Sequence, residues 1–561
     1  MIRTGISGTI DGGAGTDTLR VRFTSDATLS SGLALPTNFE QLTLAPDAKM
    51  TTTLARGFTV IGPVRVGGSG TVVNNTALSG TGTVLADEYT SSGSPSFTNA
   101  GSITGTGTQS GVYAVSLSSV NRFENSGTVT ASQNGVSFST QGTFVNSGTI
   151  TATGTAVSLF GPNFNNSGTI RSTGGIGAIL SGSSGSTWTN SGRIEGASAG
   201  LQLSSSLTNS GTITATGTGV FIGSYGSLTN AAGGIVTGGT RAIAPNGNFS
   251  VFNARIANAG TINGDVSFGS SSSSSYYGNN NAYYALAGGV LNGNLTLTSG
   301  DLLIAEATGT TGNRFAGITG TVSGTNAGLR LRVRTDTTAT LPTTSQFTTV
   351  GYELFDKAAL TLTGAASTRP LYLSGQGTVD LTADIASTAG SVIQLTTRSQ
   401  APGETYAANA LTVTSRGALS LAVSSSDVYG AYAVSLGSDD SFTNAGTINV
   451  TDTRSNNYNT LAAISGGKSV TNDGTITLNG ATGIQSARAV TNNGRIVQTT
   501  GGRAATGISG FTTLVNSGTI EVAGNAVVMD YSSGTIDNSG RIASTGGIAI
   551  SQNYSYGTVI R

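Results

Sequence analysis

The sequence predicts an all-β chain, coiled as a right-handed parallel β-helix (β-solenoid), and three observations lead to this prediction. The phrase Asn-Ser-Gly-Thr-Ile, or a near copy, recurs along the 561 residues, and most successive copies are 19 to 28 residues apart. Such a period is typical of a solenoid in which each repeat forms one coil on the last. Apolar and polar residues alternate around each copy, which indicates short strands joined by tight turns. The right hand follows from the crossover rule for parallel strands.

Each copy has an apolar residue two positions before its Asn and Ile or Val four positions after it. In strand geometry these three positions share one face. We therefore expect the amides to point inward and to stack, coil on coil, in a structural ladder; a solvated turn is the alternative. The Gly two positions after each Asn is expected to supply a positive φ at the corner. The twelve ladder positions are Asn99, Asn125, Asn146, Asn166, Asn190, Asn209, Asn258, Asn444, Asn472, Asn492, Asn516 and Asn538.

Aromatic residues occupy the inward position before five of these asparagines, namely Phe97, Phe123, Phe144, Phe164 and Trp188. A row of aromatic rings can serve as a platform for sugars when it is exposed. Because these rings share the inward face with the asparagines, we expect an internal stack instead.

The pattern divides the chain into five stretches. Residues 1–95 are irregular β-coils, 96–264 form a regular β-helix block, 286–425 are irregular again, and 426–561 form a second regular block. Residues 265–285, rich in Ser, Tyr and Asn, are predicted to be a loop outside the coils. Uniform coils of about 22 residues would give roughly 25 turns for the whole chain.

Tyrosines in the predicted loop are the candidates for an exposed contact surface, because tyrosine gives a large contact area at low entropic cost. Disorder without a partner is the alternative for this segment. The four residues are Tyr276, Tyr277, Tyr283 and Tyr284.

Composition excludes several kinds of chemistry. Lys plus Arg and Asp plus Glu both number 26, so the chain has no basic field for nucleic acid. It contains neither Cys nor His, which excludes thiol catalysis, zinc-thiolate sites and a serine hydrolase with a histidine base. We expect no cofactor, no bound metal and no nucleic-acid partner.

Carboxylates at three places in the chain are candidate sites. Gly12 to Leu19 contains a single copy of a glycine-rich calcium pattern, with Asp17 as a weak candidate ligand, but such sites need consecutive copies. Asp439 and Asp440 with Asp427, or the pair Asp87-Glu88, could serve an enzyme that cleaves polysaccharides. Carboxylates in solvated turns are the favoured interpretation, so the chain is not expected to be an enzyme.

Strings such as NSGTI and NAGTI, with GTITATGTAVSLF-like continuations at 148–160, resemble the passenger domains of bacterial autotransporters of the type V secretion pathway. The resemblance covers the two regular blocks. It implies export through the outer membrane by a C-terminal β-barrel that is not present in this chain, and display at the surface of a Gram-negative bacterium. The chain starts without an apolar signal core and ends in mid-coil, so either export information was removed or the chain is an excised segment.

These features together lead to the expectation of a non-catalytic cell-surface rod that acts as an adhesin or by self-association. Its partners would be other copies of itself, or cell-surface glycans and proteins. Two alternatives stay open: an extracellular filament or surface-layer protein built by head-to-tail stacking of coils, and a polysaccharide-cleaving β-helix enzyme.

Overall fold

A computed structural model gives the fold of the chain. It describes residues 10–561 except 34, 61, 89–92, 183–187, 248–250, 270–279, 309, 311–313, 342–345, 389, 403, 405–407, 426–427, 429, 455–460, 531–533 and 554–558. The fold is all-β, and the parallel strands stack as a β-solenoid of about 21 turns.

The strands are numbered β1 to β63 in chain order. Strands β1 to β32 are Thr18–Phe23, Ala27–Leu29, Gln41–Pro46, Thr51–Leu54, Val64–Val66, Thr71–Asn74, Ala77–Gly80, Leu85–Asp87, Ser96–Asn99, Ser102–Gly105, Tyr113–Leu117, Arg122–Asn125, Thr128–Ala131, Asn134–Phe138, Thr143–Asn146, Thr149–Ala152, Val157–Phe160, Asn163–Asn166, Thr169–Ser172, Ile176–Ser181, Trp188–Asn190, Arg193–Gly196, Ala199–Leu203, Ser206–Asn209, Thr212–Ala215, Thr218–Ile222, Ser227–Asn230, Ile235–Gly238, Arg241–Ala244, Arg255–Asn258, Thr261–Asn263 and Val266–Ser267. Strands β33 to β63 are Ala282–Ala285, Val290–Asn292, Leu295–Leu297, Leu302–Glu306, Val322–Gly324, Ala327–Val333, Thr337–Thr340, Phe347–Leu354, Ala359–Thr363, Leu371–Leu381, Ile385–Ser387, Ile393–Leu395, Ala410–Ser415, Ala418–Val423, Tyr432–Ser435, Ser441–Asn444, Thr447–Asp452, Ala462–Ser465, Ser469–Asn472, Thr475–Asn479, Thr482–Gln485, Ala489–Asn492, Arg495–Gln498, Thr506–Ser509, Thr513–Asn516, Thr519–Val522, Val527–Asp530, Thr535–Asn538, Arg541–Ser544, Ile550–Asn553 and Val559–Ile560.

The chain divides into two compact units. The first unit is Met1–Asp301 with Gly317–Ser323, and the second is Leu302–Ala316 with Gly324–Arg561. Within the first unit, successive strands join three parallel sheets in turn. In one coil, for example, β11 pairs with β14, β12 with β15, and β13 with β16. Each strand therefore pairs with the equivalent strand of the next coil.

The second unit repeats this arrangement with its own strands. In one of its coils β53 pairs with β56, β54 with β57, and β55 with β58, all in parallel. Some coils are long: Ile393 pairs with Val434, which lies 41 residues further along the chain. Long coils of this kind explain why the number of turns is lower than the roughly 25 that uniform coils would give.

The core consists of the inward residues of each strand. Phe123, Asn125 and Val129 are all fully buried. The alternation of inward and outward side chains therefore continues across the turn between β12 and β13, as the prediction requires. Phe97, Phe123, Phe144 and Phe164 form an internal stack, with ring centroids 6.2, 5.5 and 5.8 Å apart in succession. The predicted internal stack is confirmed for these rings, and Trp188 is also buried, with its indole Nε1 donating to the Pro162 carbonyl.

The role predicted for the glycine of the phrase is wrong. None of these glycines has a positive φ, as Gly127 and Gly148 illustrate. A Cβ on Gly148 would lie 2.1 Å from the carbonyl oxygen of Gly127, and one on Gly127 would lie 2.0 Å from that of Gly101. Glycine is required because backbones of successive coils approach closely at this corner.

Candidate functional site

Asparagines of the first unit form a continuous side-chain ladder that begins before the first regular block and extends through it. Each Nδ2 donates to the Oδ1 of the Asn in the next coil, at 2.7 to 2.9 Å, without a break from Asn74 to Asn258. The side chains are buried, with at most 1% of their surface exposed. They point inward rather than into a solvated turn.

Asparagine suits this position because its amide both donates and accepts. In Asn146, Oδ1 accepts from Asn125 at 2.8 Å, and Nδ2 donates to Asn166 at 2.7 Å. The same Nδ2 also lies 3.3 Å from the carbonyl oxygen of Gly148. A carboxylate would lack the donor, and a hydroxyl would not span the distance between coils.

The repeated phrase does not identify two members of this ladder. Asn74 has Val72 before it and Leu78 after it at the standard offsets, but Thr76 stands where the phrase has glycine. Asn230 is followed by two extra residues, so its Val236 is six positions away instead of four. The gap of 49 residues between Asn209 and Asn258, twice the usual spacing, was the signal for Asn230.

A second ladder lies in the second unit. It joins Asn444, Asn472, Asn492, Asn516 and Asn538 through Nδ2 to Oδ1 bonds of 2.6 to 2.8 Å. Ser415 occupies the equivalent position one coil before Asn444. The Ser415 hydroxyl and the Asn444 Oδ1 are both buried without a hydrogen-bond partner among the described residues, so this ladder starts where a shorter side chain replaces asparagine.

The predicted contact loop needs correction. Tyr283 and Tyr284 belong to β33, and only 0% and 1% of their surface is exposed. Tyr283 pairs with Ile256 of the preceding coil, and burial raises the pKa of its hydroxyl. These two tyrosines are core residues and cannot form an exposed surface. Tyr276 and Tyr277 lie outside the described residues, and the predicted loop boundaries 265–285 are wrong where they include β32 and β33.

Around the calcium candidate, the carboxylates of Asp11 and Glu40 accept hydrogen bonds from protein groups, whereas Oδ2 of Asp17 is buried without a hydrogen-bond partner among the described residues. Glu40 Oε2 accepts the Asp17 N–H at 2.7 Å, and Asp11 Oδ1 accepts from Gly13 N–H and from Asn38. Within the described ranges no group of three or more acidic, His or Cys side chains could hold a metal ion.

The candidate carboxylates for catalysis lie in different environments. Asp440 is buried, and its two oxygens accept the N–H groups of Leu411 and Gly437, while desolvation raises its pKa. Asp87 accepts from the backbone of Ser118, and Glu88 pairs with Arg20. Asp427 lies outside the described residues. Asp439, next to Asp440 in sequence, is exposed.

The irregular middle of the chain contains a buried charge cluster that the sequence did not predict. Arg332 is fully buried and donates two hydrogen bonds to Glu404, at 2.7 and 2.8 Å. Its Nε lies 3.4 Å from Glu353, which is also buried. Desolvation raises the pKa of Glu353. Desolvation acts in the same direction on Glu404, but the hydrogen bonds from Arg332 and Ala401 and the charge of Arg332 outweigh it and lower the pKa of Glu404.

An aromatic pair lies on the surface of the first unit. Tyr225 and Phe252 are 64% and 45% exposed, and their rings meet edge to face with centroids 5.3 Å apart. Tyr225 has a φ of 60°, a conformation that residues other than glycine seldom adopt. The Tyr225 N–H donates to the Phe252 carbonyl, which holds the two turns together. We call these two residues the aromatic pair.

In the part of the chain that the structure describes, no helix is long and apolar enough to cross a membrane. Comparisons with protein-family models, curated proteins and solved structures gave no match. The fold and the ladders define the class of this protein: it is a parallel β-solenoid with internal asparagine ladders.

Proposed function

We propose that this protein is a non-catalytic cell-surface protein that acts as an adhesin or by self-association. The observation that carries this proposal is the aromatic pair. Tyr225 and Phe252 are both more than a third exposed, and two neighbouring exposed rings present an apolar surface on which a partner can pack.

The backbone at the aromatic pair supports the same function. Tyr225 adopts a left-handed conformation, which costs about 1–2 kcal/mol in a residue with a Cβ. Strain of this kind persists where the surroundings impose it and is concentrated at functional sites. A rigid aromatic contact of this kind fits either the C–H face of a sugar or another protein surface.

Display by an autotransporter-type route is the second part of the proposal. It is supported by the resemblance of the NSGTI-type strings to autotransporter passenger domains. Labelling of intact cells of the source bacterium with an antibody against this chain tests that part. Signal that appears only after lysis would contradict surface display.

The contact function is tested with the full chain. We expect self-association in sedimentation velocity, or binding to cells and glycans, to fall at least about tenfold when Tyr225 and Phe252 are both changed to Ser. Phe160→Ser is the matched control, since Phe160 is 66% exposed and forms no ring contact among the described residues. Equal loss in both variants would indicate non-specific hydrophobic adhesion instead.

The same preparation distinguishes the alternatives. Fibres in negative-stain images that persist in the Tyr225/Phe252 variant would favour assembly by end-to-end stacking. Release of oligosaccharides from a polysaccharide panel would contradict a non-catalytic function. A chain that neither associates nor binds cells or glycans would overturn the proposal.

A further inference from the structure

A groove in the second unit crosses four successive coils of the second regular block. It has a volume of about 490 Å³, within the range of roughly 300–1,000 Å³ that is typical of ligand sites. Its lining comes from the turns before β48 (Ser441–Asn444), β51 (Ser469–Asn472), β54 (Ala489–Asn492) and β57 (Thr513–Asn516). The groove is therefore built from equivalent positions of neighbouring coils.

The lining combines apolar and polar groups. Ala487 and Phe511 are almost fully buried and contribute apolar atoms to the wall. Ser438, Ser486 and Arg488 add hydroxyl groups and a cation. Apolar surface with a few converging polar groups suits a sugar ring, which has apolar C–H faces and hydroxyl groups at its edge.

Arg488 lines the groove, and a second cation, Lys468, directly follows the lining residue Gly467 in sequence. Ala489 pairs with Ser469, so Arg488 occupies the position of Lys468 one coil further on, about 4.8 Å away along the stack. Both residues are exposed, and neither side chain forms an ion pair or hydrogen bond within the described residues. Two adjacent unneutralised cations repel each other, and an anionic ligand would relieve that repulsion.

Backbone conformation provides independent support. Gly466, Ser486 and Gly510 occupy equivalent positions in three successive coils, and their φ angles are 83°, 57° and 64°. Glycine adopts this conformation without strain, whereas serine does not. The chain thus retains a strained residue with a hydroxyl group in the lining of the groove, where its neighbours have glycine.

We propose that this groove binds an acidic polysaccharide, with Arg488 and Lys468 holding its anionic groups and Ser486 contacting its sugar hydroxyls. A polymer with a charge on each unit matches cations in two successive coils. Because the chain has no net charge, this attraction must come from local cations and not from the field of the whole protein. The proposal deepens the non-catalytic binding function proposed above and rests on it.

Titration calorimetry of the full chain with three polymers tests the proposal. Polygalacturonate supplies carboxylates, heparin supplies sulfates, and dextran is neutral. We expect one or both acidic polymers to bind and dextran not to bind. Arg488→Ala should weaken binding at least about tenfold, as expected for loss of a charge-assisted contact, and Lys468→Ala should weaken it several-fold.

Arg495→Ala is the matched control, because Arg495 is an exposed cation in the same coil but on β55, away from the groove. Ser486→Gly should weaken binding without lowering the melting temperature, since glycine fits the local φ. Loss of affinity in Arg495→Ala equal to that in Arg488→Ala, or no binding of either acidic polymer, would overturn the inference. Cleavage of a bound polymer would instead contradict the non-catalytic function and leave the site in place.

Discussion

At the residue scale, the side-chain amide of asparagine decides how the coils stack. Each buried amide needs a donor and an acceptor, and the same residue one coil away supplies both. In Asn146 the two bonds are 2.8 and 2.7 Å long, which is close to ideal geometry. The ladder therefore fixes register as well as satisfying polar groups.

Replacement of Asn146 by Ala is expected to lower the free energy of unfolding by about 1–3 kcal/mol, because it leaves the amides of Asn125 and Asn166 each with an unmet bond. Thr151→Ala is the control, on a half-buried residue in the same coil. Chemical denaturation followed by circular dichroism measures both. Equal, small effects would contradict a stabilising function for the ladder.

Gly148 gives a second prediction at this scale. Ala at this position would place a Cβ 2.1 Å from the Gly127 carbonyl oxygen, so the two coils would have to separate. We expect a loss of about 1–3 kcal/mol or more, as in other overpacked sites. Gly32→Ala, where a Cβ would meet nothing within 4 Å, should change the midpoint of unfolding little. If both changes are tolerated, close backbone approach is not the reason for glycine.

At the scale of elements, strands between the regular blocks contribute core residues and cross-coil ion pairs. β33 contributes Tyr283 to the interior of the first unit, although the residues directly before this strand are polar. In the second unit, Arg332 of β38 binds Glu404, which lies 72 residues later in the chain. The pairing of Tyr283 with Ile256 and the ion pair of Arg332 with Glu404 both join segments that are distant in sequence.

Tyr283→Ala tests whether β33 belongs to the core. Removal of a fully buried aromatic ring should cost about 3–5 kcal/mol. Tyr225→Ala removes the same kind of side chain from an exposed position and should cost less than about 1 kcal/mol. Thermal and urea unfolding compare the two. A small effect of Tyr283→Ala, together with a loss of cell binding, would restore the idea of a contact loop.

The buried charge cluster predicts a pH dependence. Because the pKa of Glu404 is lowered below its ordinary value of 4.5, ionised Glu404 stabilises the fold above about that pH, and the contribution is lost as pH falls through the folded pKa. Glu353, with a raised pKa, acts in the opposite direction.

The variant Glu404→Gln isolates the contribution of ionised Glu404 to the free energy of unfolding. At pH 7 it should lower the free energy of unfolding by about 1–3 kcal/mol, a modest value because the carboxylate is 29% exposed. The difference from the unchanged protein should shrink as the pH is lowered from 6 to about 3. A difference that stays constant over this range would show that the bond to Arg332 does not depend on the charge of Glu404.

At the scale of the whole molecule, stability comes from the stacking of coils within each unit. A single coil buries too few apolar side chains to offset the entropy of ordering some 20 residues. Each coil is therefore stable only through its neighbours. The hydrogen bonds of the ladders join side chains of successive coils to one another.

Chelation is accordingly expected to leave stability unchanged. Asp17 has Glu40 nearby, but Glu40 accepts the Asp17 N–H, and consecutive copies of the glycine-rich pattern are lacking. The melting temperature should stay the same within error when EGTA is added. A fall of several degrees that added calcium reverses would contradict this expectation.

The sequence alone determined the solenoid, the inward asparagines and the internal aromatic stack. These features depend on a repeat period and on strand parity, both of which are local properties of the chain. The phrase does not identify Asn74 and Asn230, because a threonine replaces the glycine in one and two extra residues interrupt the phrase in the other.

Only the tertiary structure decided the function of the corner glycines, the burial of Tyr283, the cluster around Arg332 and the groove beside Arg488. In each case the deciding neighbour belongs to another coil: the carbonyl of Gly127 faces Gly148, and Glu404 reaches Arg332 across 72 residues. A local pattern shows which side chains point inward, but it does not show which group of another coil lies opposite. That depends on register and coil length, which are set by packing between coils.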